Sequence, residues 1–193
     1  MAEGGSKVST FPECAIIHEI YDGENAEEQF EYELERALES GVPYIVVEPS
    51  RLGDETARWI MIGNCLHKTA VLAGLSCALS TAIPSDYVFG HMGLPSVPRL
   101  LGTTYDVFSL CSGVVSFACA ALYEVSWQSD PCCKYQVEYD ARNLAGLPLH
   151  SLTSASPVVL VRKDNTARRR LHSVCTTVAA LCCGLRIYRW YFQ

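Results

Sequence analysis

At 193 residues the chain can bury a core of its own, and its charged fraction of 19% lies below the quarter or so usual in soluble domains. Ten cysteines raise the class of disulfide scaffolds, but Cys77, Cys111, Cys119, Cys175, Cys182 and Cys183 sit inside apolar runs, where cysteine behaves as a small hydrophobe. The net charge of −6 divides into fourteen acidic and four basic side chains over residues 1–60, against four acidic and nine basic over 128–193; the one dense basic run is short and abuts an apolar segment, which argues against nucleic-acid binding.

Residues 1–13 read as a flexible N-terminal segment. The opening MAEGGSKVSTFPECAIIHE has neither the apolar stretch of a secretory leader nor the arginines of a mitochondrial presequence, and no glycine follows Met1 for myristoylation. Any membrane targeting is therefore expected from an internal segment. Residues 14–53 read as an αβ unit. CAIIHEIY, Cys14 to Tyr21, is a short apolar strand. DGEN is a turn, after which Asn25 can cap a helix, with Glu28 completing a variant capping box. Phe30, Leu34, Ala37 and Leu38 share one helical face, and Gly41 with Pro43 ends the helix. YIVVE, Tyr44 to Glu48, is a second strand, parallel to the first if the crossover is right-handed. A lone glycine beside two carboxylates in YDGEN would repel a phosphate, so nucleotide binding is rejected.

Residues 54–128 read as a helix and a membrane hairpin. Asp54 is an N-cap candidate. The segment KTAVLAGLSCALSTAIP, extended back through the uncharged residues from Trp59 to Leu66, gives a span of about 66–87. VFSLCSGVVSFACAALY, with aromatic residues at both ends, gives a second span of about 106–127. Small residues recur at every fourth position: Ala70, Gly74, Ala78 and Ala82 on the first, Ser112, Ser116 and Ala120 on the second. Such stripes let helices approach closely in lipid. An irregular loop is expected at 86–105. Two crossings return the chain to its starting side, so strands in residues 129–165, KYQVEYD and PVVLVR, can join the N-terminal pair in one mixed sheet. The fold class is thus an α+β membrane protein: a two-span helical hairpin with a small αβ module made from both chain ends.

Residues 166–193 form a basic and apolar segment. Its fifteen uncharged or neutral residues, Leu171 to Leu185, are few for a span, and interfacial or shallow insertion is expected. Arg168, Arg169, Arg170, Arg186 and Arg189 are candidates for lipid head-group contact, anionic lipids in particular. Chemistry is sparse. Cys65 with His67, and the vicinal Cys132 and Cys133, are the candidate redox or metal residues, but their spacing suits zinc poorly. His18 with Glu19, and Glu48 with Asp54 and Glu55, lack a neighbouring nucleophile. No catalytic residue, cofactor or metal is expected. A channel ranks last, because no charge lies within the apolar runs at 69–84 and 107–123 that form the middle of the spans.

The stretches HEIYDGENAEEQFEYELERALE, GDETARWIMIGNCLHKTAVLAG, SWQSDPCCKYQVEYDA, LPLHSLTSASPVVLVRKD and RRRLH resemble the transmembrane protein 11 family of mitochondrial cristae-shaping proteins, from about Ile16 to His172. The resemblance implies a non-enzymatic mitochondrial membrane protein with two spans that organises cristae together with the mitochondrial contact site and cristae organising system. It also implies possible mitophagy-receptor partners at the outer membrane; the inner membrane is favoured, and a homo-oligomer through the small stripes is a further expectation. The loop SDYVFGHMGLPSVPRLLGTTYD and the final RIYRWYFQ match less closely. Lys and Arg flank the spans mostly on the terminal side, which by the positive-inside rule puts both ends in the cytoplasm or matrix, whereas the resemblance implies ends facing the intermembrane space.

Overall fold

The computed structural model describes residues 13–19, 25–83, 99–140, 147, 152 and 157–192. The chain divides into two units, one from Met1–Met61 with Pro131–Lys163 and one from Ile62–Asp130 with Asp164–Gln193.

The first unit is a four-stranded sheet with one helix. Strands β1 (Cys14–Ile17), β2 (Tyr44–Val47), β3 (Tyr135–Val137) and β4 (Val158–Arg162) lie in the order β1-β2-β4-β3. β1 and β2 are parallel; β4 runs antiparallel to both β2 and β3. Helix α1 (Ala26–Ser40) is the crossover between the parallel pair, and it buries Phe30, Leu34, Ala37 and Leu38, the face its apolar spacing predicts. Gly41 ends it in the left-handed region at φ 69°, where a side chain would be strained. Arg162 Nη1 donates to the Gly41 carbonyl at 2.6 Å, satisfying an oxygen at the helix end.

The two central strands are apolar on both faces because both faces are covered. Ile45, Val47 and Leu160 join Ile17, Phe30, Leu34, Leu38, Ile60 and Tyr135 on one side. Val46 and Val159 meet Leu147 on the other. That is why YIVV and VVLV read as continuous apolar runs rather than alternating ones. A 3-10 turn, Pro131–Lys134, leads into β3 and buries Cys132.

Several local expectations differ. Asn25 makes no side-chain capping bond; its φ of −118° and ψ of 24° leave the extended geometry such a cap needs, so the predicted capping box is absent. Its carbonyl instead accepts from the Gln29 amide at 3.1 Å. Asp54 is not the N-cap of the next helix, which already starts at Ser50: the Gly53 amide bonds the Pro49 carbonyl at 2.9 Å. The strands are one to several residues shorter than expected. The turn at 22–24 and most of the loop predicted at 86–105 fall outside the described residues, although 99–105 is helical.

The second unit is helical. Helix α2 (Ser50–Ala82) runs into it, and α3 (Arg99–Ser126) and α4 (Thr166–Phe192) complete it. All three are long and apolar enough to cross a membrane, over Ser50–Ala82, Thr104–Ser126 and Thr166–Phe192. Among the described residues there are thus three candidate spans where two were expected. Arginines border the apolar run of the closing segment, for which interfacial or shallow insertion was expected, and the helix continues through them to 27 residues.

Candidate functional site

The helical unit is built inside out relative to a water-soluble bundle. On α2 the buried line is Gly63, His67, Ala70, Gly74, Cys77 and Ser80; on α3 it is Ser109, Gly113, Ser116, Ala120 and Tyr123, with Trp127 buried just past its end. Nearly all are small or polar above the His67–Tyr123 level. The large apolar side chains face outward instead: Leu72, Leu75 and Leu79 on α2; Phe108, Val114 and Phe117 on α3; Val174, Val178 and Leu181 on α4. In water this arrangement would leave the apolar surface uncovered. In lipid it is the expected one, because association there depends on close packing and not on hiding oily side chains.

The small residues permit the closeness. A Cβ on Gly74 would meet Ser116 Oγ at 2.8 Å and the Cys175 carbonyl oxygen at 3.2 Å. One on Gly113 would lie 2.1 Å from Cys183 Sγ, and one on Gly63 would lie 2.1 Å from the Trp127 ring. Ser116 Oγ donates to the Ala70 carbonyl at 2.7 Å, a buried interhelical bond. Ala70, Gly74, Ser116 and Ala120 of the predicted stripes are buried here; Ala78 and Ser112 are half-buried and Ala82 is exposed. Four residues turn a helix about 400°, so a strict fourth-position stripe drifts around the axis, while the packed line alternates steps of three and four. Cys77, Ser80, Ser109 and Gly113 are the packing residues that the fourth-position pattern missed.

Near one end of the bundle lies an aromatic and imidazole layer. His67 Nδ1 and His172 Nδ1 are 3.3 Å apart, and the Tyr123 ring packs on both imidazoles at centroid distances of 5.8 and 4.9 Å. His172 Nε2 and Arg168 Nε are buried without a hydrogen-bond partner among the described residues. Near the other end, Cys77 Sγ is 3.7 Å from Cys183 Sγ. One turn beyond, Arg186 donates from Nε to Thr81 Oγ1 at 3.1 Å and from Nη2 to the Ser80 carbonyl at 2.6 Å, and its Nη1 pairs with Asp106. Tyr105 lies 5.8 Å from its guanidinium carbon.

The five arginines proposed as head-group contacts therefore have different surroundings. Arg169, Arg170 and Arg189 are exposed, Arg168 is half-buried, and Arg186 turns its guanidinium into the bundle. Of the candidate redox or metal residues, Cys65 is exposed while His67 is buried, because two residues on a helix point to nearly opposite sides. Cys132 is buried and Cys133 half-buried. Among the described residues no three His, Cys, Asp or Glu side chains are grouped to hold a metal. His18 does meet Glu48: its Nδ1 lies 2.9 Å from the buried carboxylate, which also accepts the Glu19 amide at 3.1 Å. This contact joins the ends of β1 and β2. In the same unit, burial raises the Cys14 thiol above its ordinary value and so disfavours a reactive thiolate.

A helical unit with lipid-suited surfaces, continuous with a small mixed-sheet module, defines the class: an α+β membrane protein. Residues 13–188 match the family described as mitochondrial morphogenesis regulator, and the chain belongs to that family. It is 56% identical over 180 residues to Transmembrane protein 11-B, mitochondrial, of Xenopus laevis, covering 93% of this chain and 87% of the relative. It is 55% identical to Transmembrane protein 11, mitochondrial, of Danio rerio, with the same coverage. The Homo sapiens protein of that name is 56% identical over 93% of this chain and 85% of its own. No solved structure matches. The chain is accordingly a mitochondrial transmembrane protein acting in mitochondrial morphogenesis, in a family of morphogenesis regulators rather than a known family of enzymes.

Proposed function

We propose that this protein is a non-catalytic scaffold of the mitochondrial inner membrane, which organises cristae by holding its bundle in the lipid and offering its αβ module to the mitochondrial contact site and cristae organising system. The observation that carries the reading is the inverted distribution of side chains: small and polar inside, large and apolar outside. A surface of that kind anchors the chain firmly and leaves further helix faces for contacts within the membrane. The αβ module contributes a second surface, the exposed side of α1, where Glu27, Glu28, Glu31 and Glu35 face solvent and suit a basic partner.

The test is removal of the protein followed by electron microscopy of the cristae. Fewer or disordered cristae, restored by the full chain, are expected, together with co-purification of the organising system in mild detergent. Normal cristae in a clean knockout would overturn the scaffold role. Recovery of the chain solely in outer-membrane fractions would overturn its inner-membrane site.

A further inference from the structure

Helix α4 keeps company with α2 along almost the whole of the bundle, and the two run in the same direction. His67 on α2 meets His172 on α4. Gly74 faces the Cys175 carbonyl, Cys77 meets Cys183, and Thr81 accepts from Arg186. Every advance along α2 is matched by an advance along α4. His172 to Arg186 spans about 21 Å at 1.5 Å per residue, a large part of a hydrocarbon core of about 30 Å. The upper tie also includes α3, since Arg186 pairs with Asp106 in the early turns of that helix while holding the last turn of α2. It therefore sits at the level where the two arms of the hairpin are joined. A helix lying flat in the interface would touch an upright hairpin at one level. Helix α4 touches it from one end to the other.

We propose that α4 is a third membrane crossing, parallel to α2, which carries residues 187–192 to the face opposite its own first turn and seats them among the lipid head groups there. This rests on reading the α2–α3 hairpin as membrane-spanning. The parallel run supplies the sidedness: His67 meets His172 toward the first end of both helices and Thr81 meets Arg186 toward the last, so within the bundle α2 and α4 start from one face. From that face α4 is 27 residues long, about 40 Å, enough to cross with a turn or more to spare.

The side chains agree with a crossing. Arg168, Arg169 and Arg170 stand at its start. No charged residue follows until Arg186, whose guanidinium is supplied by Asp106, Thr81 and the Ser80 carbonyl and so needs no head group. Beyond it come Tyr188, Arg189, Trp190, Tyr191 and Phe192, all exposed. Tyrosine and tryptophan rings beside the exposed Arg189 are the chemistry of a membrane interface facing acidic lipid.

The experiment uses the full chain with one epitope tag at each end, in isolated mitochondria taken stepwise through outer-membrane rupture and detergent, with protease at each step. The expected result is opposite protection: at one step one tag is lost and the other retained, while the chain resists alkaline carbonate. Loss of both tags at the same step, in a carbonate-resistant chain, would overturn the third crossing and leave the hairpin standing. Release by carbonate would overturn both. For the head-group seat, the reconstituted chain and its Trp190→Phe variant are compared in vesicles containing brominated lipid. The fluorescence that Trp190 contributes should be quenched more by bromine near the head group than by bromine near the acyl end; the reverse order, or no quenching, would overturn the seat.

Discussion

Tyr135 shows how one residue links the late part of the chain to the early part. Its ring is 1% exposed and its hydroxyl donates to the Val42 carbonyl at 2.8 Å. Tyr135→Phe keeps the packing but strands a carbonyl, at a cost of about 1–2 kcal/mol. Burial pushes the phenol above its ordinary value; the Arg162 guanidinium pulls it back in part, and Cys132 adds a smaller upward push. A raised folded-state value means that this stabilisation is complete below about pH 10, the ordinary tyrosine value, and is lost as pH climbs through the folded value. Hydrogen exchange of the β2 amides in detergent should therefore show two things. At neutral pH the Phe variant exchanges faster, by roughly 5- to 30-fold for that energy where exchange follows local opening. Above about pH 10 the difference narrows, because the wild type loses what the variant never had. A constant difference across that range would refute the assignment.

At the scale of elements, the closeness of the helices is the property to test. Gly63 has no room for a methyl group: its Cβ would fall 2.1 Å from the Trp127 ring, which is 3% exposed and cannot swing aside freely. Gly63→Ala gains helix propensity, by up to about 1 kcal/mol, yet overpacking costs about 1–3 kcal/mol and prevails. Gly184 is the contrasting case, with nothing within 4 Å of an added Cβ, so Gly184→Ala should keep the propensity gain. Thermal unfolding in detergent should rank Gly63→Ala below wild type and Gly184→Ala at or above it. The existence of α2 and α3 was legible in the sequence, because an uncharged run of span length has few other uses; the run in α4 was shorter than that. Their facing residues were legible only in part. Small side chains marked the inner surface, and so Ala70, Gly74, Ser116 and Ala120 stood out; the phase of the line was blurred by the drift of a fourth-position repeat. The Arg186 contacts were not legible at all, since they depend on how far α4 travels beside α2, and an arginine at the edge of an apolar run has the same appearance whether it meets lipid or a carboxylate. Likewise, the strands could be recognised by their Val and Ile content, but their order rests on long-range pairing that leaves no local mark.

For the whole molecule, the order β1-β2-β4-β3 has a consequence for how the chain can be shortened. β4 is an inner strand, flanked by β2 and β3, although α2 and α3 separate it from β2 in the chain. Leu160 is fully buried and Val159 is 3% exposed. A chain ending at residue 156 therefore removes the strand that bridges β2 and β3, strips cover from Ile45 and Val46, and separates β3 from its neighbour. A chain ending at residue 163 retains every strand and loses only α4. The first truncation should abolish exchange protection at the β2 amides, while the second should keep it within a few-fold of the full chain. The second should instead fail in the helical unit, where Gly74, Cys77 and Gly113 lose the neighbours that made small residues useful, and Asp106 loses Arg186. Faster protease cutting between α2 and α3, with an intact sheet, is the expected pattern. Loss of sheet protection in both truncations would mean that the module needs α4 to fold, and the division into two separately stabilised units would have to be abandoned.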